Sequence, residues 1–202
     1  GKGSPIMEML DVVDEQGNPT GEVVTRERAH REGIRHRTAH VWIIRQKAGR
    51  LEVLLQKRSA NKDSYPGCYD ISSAGHIPAG ADFLPSALRE LQEELGVTVQ
   101  AEALIYCGLR RLQFQKTFHG RLFKDNQVTK VYDLWLDEAA ERFTLQQEEV
   151  EEVRWFDFED CVSQVREQTL PNCIYLEELE LVRQGAERSL AEQDLQVGKK
   201  HP

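Results

Sequence analysis

The chain has little sulfur and no pattern in it. Its cysteines, Cys68, Cys107, Cys161 and Cys173, are scattered without a C-x-x-C pair, which excludes a zinc ribbon, a redox dithiol and a disulfide-framed scaffold. No apolar run reaches the roughly 18 residues that a membrane-spanning helix requires, and no secretory leader pattern is present. Positive charge is in deficit. The 26 lysines and arginines face 34 acids, a net charge of −8, so there is no basic footprint for a nucleic-acid backbone or an anionic bilayer. Neither long nucleic acid nor membrane is an expected partner, a reducing cytoplasm is the expected location, and a phosphate ligand must be met by local cations and metal. There is no internal repeat. What remains, 202 residues that are 40% hydrophobic and 30% charged, fits one globular domain with a sizeable core. Residues 1–6, GKGSPI, read as an expression scar, 7–184 as a single domain including a C-terminal helix, and 185–202 as a polar, disorder-prone tail.

The strongest pattern lies between Gly75 and Val97. The spacing predicts a helix over about 84–95, with Leu84, Ala87, Leu88, Leu91 and Leu95 forming one apolar stripe. On a second face stand Glu90, Glu93 and Glu94, spaced i, i+3, i+4. Like charges at these spacings oppose a helix by about 0.2–0.5 kcal/mol per pair. Gly96 marks the C-terminus, and acids at that end also face the negative pole of the helix dipole. A cluster that works against its own helix points to a site, and a bound divalent cation is the simplest compensation. Ahead of it, Gly75 and Gly80 mark a loop, Asp82 is a fitting N-cap, and Pro85 fits the first turn.

The rest reads as a succession of strands with few helices. Residues 9–13 and 22–25 predict a hairpin around DEQGNPTG, 40–45 a strong strand, and 51–58 a buried strand ending at Lys57 and Arg58. SANKDSYPGCYDISSAG then brings Lys62 and a Pro66-Gly67 turn before a further strand. Residues 103–114 and 128–137 predict strands around a polar loop, 150–156 another strand, 158–168 a helix and 174–184 the last helix. Without strict βαβ alternation, the fold class is α+β with a mixed sheet. Lys57, Arg58 and Lys62 sit in sequence beside the carboxylate helix, where a diphosphate needs countercharge. His30, His36 and His40 fall within a short stretch and suggest polar or hydrogen-bonding roles more than a metal, because the strand placement breaks their helical spacing.

Gly75 followed by Arg89-Glu90-Leu91-Gln92-Glu93-Glu94-Leu95-Gly96-Val97 resembles the box of the Nudix hydrolases, G-x5-E-x7-R-E-U-x-E-E-x-G-U with U aliphatic, at every fixed position except Ala81, where the pattern has glutamate. The resemblance runs from about Met9 to Phe158. It implies an α/β/α sandwich with a mixed sheet between helices, and a metal-dependent hydrolase that cleaves a diphosphate linkage in a small molecule. It implies magnesium, with manganese as the alternative, on Glu90, Glu93 and Glu94, and an ion pair from Arg89 that holds one of these glutamates. It also implies a general base from the box or from a distal loop, here Glu148 or Glu149. The segments HREGIRHRTAHVW and KDSYPGCYDISSAGH are also similar to the isopentenyl diphosphate isomerases, whose metal-binding histidines match His36, His76 and, across a one-residue gap, His30. The thiol that isomerisation needs is Ala74 here, and the paired distal glutamates are replaced by Val128 and Lys130, so a hydrolase is expected on an isomerase-like chassis. The alternatives are a nucleotide- or diphosphate-binding module without turnover, supported by Ala81, and, more remotely, an enzyme like the isopentenyl diphosphate isomerases. Oligomeric state is open, a homodimer among the options.

Overall fold

The structure is a computed structural model and describes residues 7–200; the first six residues, read above as a scar, lie outside that range. Strand β1 (Met9–Val13) pairs antiparallel with β2 (Pro19–Thr25), and the hairpin turn is closed by Asp14, whose carboxylate accepts the Gln16 and Asn18 amides at 2.9 Å each. Helix α1 (Arg26–Glu32) follows, capped by the Thr25 hydroxyl. No local pattern assigns this segment, because one short run of polar residues has no apolar stripe to reveal it.

A mixed sheet forms the middle layer: β3 (His36–Lys47), β4 (Arg50–Arg58), β5 (Tyr69–Asp70), β6 (Ser73–His76), β7 (Ile105–Phe118), β8 (Arg121–Trp135) and β9 (Val150–Asp157). Strand β3 runs parallel to β8 and antiparallel to β4 and β6. Its side chains alternate between faces. Val41 and Ile43 join the core under α2 (Phe83–Leu95), while Trp42 and Ile44 join the opposite core with Phe158 of α3 (Phe158–Glu167) and Leu179 of α4 (Leu176–Lys200). Helices therefore cover both faces of the sheet, the expected sandwich.

Strands β2 and β3 begin earlier than the sequence reading, at Pro19 and His36, and two further extents differ more widely. The segment after Phe114 is not a loop: β7 and β8 continue as a ladder to Phe118↔Arg121, with His119 and Gly120 both left-handed in the turn. Cross-strand pairing satisfies the polar segment's backbone, so strand structure persists where composition suggests a loop. Helix α4 continues past Gly185 to Lys200 instead of giving way to a disordered tail. Gly185 is not a cap but a close approach, since a Cβ there would meet Cys107 Sγ at 2.5 Å and Asp133 Oδ2 at 2.7 Å.

Candidate functional site

A cavity of about 270 Å³ opens beside the sheet and is lined from α1, β3, β6, α2, the hairpin β7–β8 and the start of α4. Its acidic wall is the end of α2. Leu91 and Leu95 are fully buried, and their packing fixes the rotation of α2 that brings Glu90, Glu93 and Glu94 to the cavity. Gly75 makes room for the first of them, because a Cβ at Gly75 would stand 2.4 Å from Glu90 Cγ. Glu94 is 5% exposed, and its Oε1 accepts the Ser73 hydroxyl at 3.0 Å, the Ala74 amide at 3.1 Å and the Gln56 amide at 3.4 Å. Glu93 sits further out, 3.8 Å from Arg89.

The electrostatics here are unfavourable to the metal-free protein. Burial first, then the charges of Glu94 and Glu93, push the Glu90 carboxyl up to about 8. Burial likewise pushes Glu94 up to about 7 against the hydrogen bonds from Ala74 and Ser73. Oxygen donors of this kind suit a hard divalent cation, which would restore both carboxylates to their ionised form.

A second set of ligand atoms lies on the same cavity. Ring nitrogens of His30, His36 and His76 all fall within 4.8 Å of one another, and Asp125 Oδ1 stands 3.7 Å from His30 Nε2 and 3.6 Å from His36 Nε2. The His36 Nδ1–H donates to the Ile34 carbonyl at 2.8 Å, which leaves Nε2 as the bare lone pair. His30 Nε2, His36 Nε2 and Asp125 Oδ1 are buried with no hydrogen-bond partner among the described residues. Burial holds His30 down to about 3 and His36 to about 4, and His76 well below its usual range, so the rings are neutral donors at neutral pH.

The third histidine of the sequence cluster is elsewhere. His40 Nδ1 meets Glu178 at 2.9 Å, and the same carboxylate accepts Trp42 Nε1 and Arg110 Nη1 at 2.7 Å each. Although burial opposes it, His40 and Arg110 together hold Glu178 down to about 2, and this satisfied buried group fixes α4 to β3 and β7 at the cavity floor.

The cations separate by task. Lys57 pairs with Glu151 at 3.5 Å outside the cavity. Arg58 lines the cavity, yet its guanidinium donates to the Ser64 carbonyl and hydroxyl and to Asp70. Lys62 lines the cavity and pairs with Glu149, which lines it too; Glu148 contributes its carbonyl to the Ser59 hydroxyl at 2.9 Å. Arg89 does not line the cavity. Ala81 is partly buried against the core under α2 and lines a separate cavity with Asp11, Arg37 and Lys130.

Sequence reasoning missed Asp125 and Arg26. Asp125 lies on β8, which pairs with β3 from His36↔Gln127 onward, a parallel register that no local pattern shows. Arg26 opens α1 and lines the cavity, its Nη2 held by Asp63 at 3.1 Å and its Nε buried with no hydrogen-bond partner among the described residues. Val128 and Lys130, aligned with the isomerase glutamates, do not take part: Val128 is fully buried and Lys130 lies over the Phe83 ring at 4.7 Å.

Comparison with known proteins adds to this geometry. The NUDIX domain family model matches residues 34–173. "Nudix hydrolase 3" of Arabidopsis thaliana is 43% identical over 157 residues, which are 76% of this chain but only 20% of that protein. An uncharacterized Nudix hydrolase of Pseudomonas aeruginosa is 31% identical over 167 residues, 82% of this chain and 87% of its own length. A crystal structure from Deinococcus radiodurans superimposes with a TM-score of 0.61 over 88% of this chain and 99% of its own, at 21% identity, a likeness of fold.

Proposed function

This chain belongs to the NUDIX domain family, and from that premise we propose that it is a magnesium-dependent hydrolase of a diphosphate linkage in a small molecule. The observation that carries this reading is the pair of carboxylates, half-buried Glu90 and buried Glu94, held near one another at the cost of raised pKa values of about 8 and 7. An arrangement without a cation task has no physical need to keep them.

Glu90, Glu93 and Glu94 would hold magnesium, with manganese able to replace it. The bound ion supplies neutralisation of phosphate oxygens and a more acidic water. Arg26 and Lys62 would bind the diphosphate by charge-assisted hydrogen bonds, and Arg89 orients Glu93 from outside. Glu149 would accept one proton from the attacking water, whose oxygen bonds to phosphorus. The bridging P–O bond breaks, and the leaving group keeps its electron pair. His30, His36, His76 and Asp125 form a mixed nitrogen and oxygen set suited to a softer divalent ion such as manganese or zinc. This placement supports the isomerase-like chassis, while Ala74, opposite His40 in the β3–β6 ladder, offers neither acid nor base for moving a double bond. Free Cys68, Cys107, Cys161 and Cys173 fit a reducing, cytoplasmic location.

The test is phosphate or nucleotide release from a panel of organic diphosphates with and without magnesium, compared with Glu93→Gln. Metal-dependent release that the variant loses supports the reading. Retention of diphosphates without turnover would instead favour a binding module.

A further inference from the structure

Lys62 and Glu149 suit opposite tasks, one holding phosphate and the other taking a proton, yet the structure joins Lys62 Nζ to Glu149 Oε2. This is not a chance meeting of two long surface chains. The Ser59 amide donates to the Glu149 carbonyl at 3.1 Å, and the Lys62 amide donates to the Ser59 carbonyl at 3.2 Å. From above, the His119 ring at the tip of the β7–β8 hairpin meets the Lys62 carbonyl at 2.9 Å. From below, the Glu149 amide donates to the Gln146 carbonyl at 2.9 Å and the Gln146 amide to the Glu94 carbonyl at 3.0 Å, so the turn that carries Glu149 hangs from the end of α2. Both backbones are thus fixed while the side chains remain 18% and 37% exposed, able to change partners. Both line the cavity with the box glutamates, and both act on the charge of Glu94.

We propose that substrate exchanges this pair: an incoming diphosphate takes the Lys62 ammonium away from Glu149, and the freed carboxylate becomes the acceptor for the water proton. The inference rests on the hydrolase reading and adds how the site is switched on. While Glu149 is bound to an ammonium, the carboxylate oxygen that would receive the water proton is already occupied. A diphosphate brings several negative charges to compete with a single carboxylate, and Arg26 strengthens its hold. A phosphodiester with one charge lacks that advantage. The exchange therefore selects for multiply charged phosphoryl groups and leaves the base idle in an empty site.

The experiment is calorimetric titration of methylenediphosphonate, in magnesium, into the full chain and its Glu149→Gln, Glu149→Ala, Lys62→Met and Lys62→Met/Glu149→Gln variants. Both single changes at Glu149 remove the competitor, so binding is expected to tighten by about two- to fivefold, the scale of a half-exposed ion pair. Lys62→Met should weaken binding, and in that background Glu149→Gln should add nothing. In turnover, Glu149→Gln should lower kcat and KM together. Unchanged or weaker binding in both Glu149 variants, with wild-type binding intact, would overturn the exchange alone. Absence of wild-type binding would overturn the hydrolase reading and the exchange with it.

Discussion

At the scale of single residues, two small side chains separate the parts of the box that shape the site from those that do not. Gly75 has ordinary backbone geometry, and what it contributes is absence: Glu90 Cγ, Cδ and Oε1 occupy the space within 2.8 Å of where a Cβ would be. Gly75→Ala should therefore displace Glu90 and weaken magnesium binding at least tenfold, with little loss of melting temperature, as read by calorimetry and thermal unfolding side by side. Ala81 is the converse case. It lines the cavity of Asp11 and Arg37 rather than that of the glutamates, so Ala81→Glu should leave magnesium affinity within about twofold of wild type. Tightening in that titration would show that position 81 reaches the ion after all.

The same carboxylates give the site a pH dependence whose sign is fixed. Glu90 and Glu94 bind protons up to about 8 and 7 in the folded, metal-free protein, against an ordinary 4.5. Between those limits the folded state holds more protons than the unfolded chain, so metal-free stability falls as pH rises from about 4.5 to 8. Magnesium competes with these protons, so its affinity should rise over pH 6 to 9. Thermal unfolding with and without magnesium checks this, with a larger metal-induced rise in melting temperature at pH 8.5 than at pH 6.

At the scale of elements, α2 was legible because one stripe of leucines and one face of acids follow the same period, and α2 indeed runs from Phe83 to Leu95 with a left-handed Gly96 closing it. Helix α4 was legible only in its first turns. Its later half has few apolar residues to pattern, and Gly185 looks like a stop until the packing shows Cys107 and Asp133 pressed against it. Asp133 is fully buried, and its carboxylate oxygens have no hydrogen-bond partner among the described residues; burial pushes it up to about 8. Gly185→Ala should cost about 1–3 kcal/mol, the usual penalty of overpacking a close contact, and denaturant unfolding measures it. The site should loosen as well, since Glu178 on the same helix holds His40, Trp42 and Arg110 at the cavity floor.

At the scale of the whole molecule, the sandwich, the box helix and the histidines His30, His36 and His76 could be read from periodicity and resemblance, whereas Asp125, which completes the cavity's second donor set, could not. His30, His36 and His40 are neighbours in sequence, but β3 sends His36 toward His30 and His76, and pairs His40 with Glu178. Asp125 joins them through a parallel β3–β8 register that depends on chain segments far apart in sequence, a separation over which no local pattern speaks. Lys57, Arg58 and Lys62 looked alike in sequence and differ only in what tertiary structure leaves them free to do.

On the proposed hydrolase reading, the glutamates of α2 are kept, against their own electrostatics, for a metal that serves catalysis. The decisive comparison is wild type against Glu90→Gln, with the melting temperature measured in metal-free buffer at pH 8.5 and diphosphate hydrolysis measured in magnesium. Removing a half-buried, mutually repelled charge should raise the melting temperature while the rate falls by orders of magnitude. If melting temperature and rate fell together, the carboxylates would be structural and the assignment of the site would be wrong.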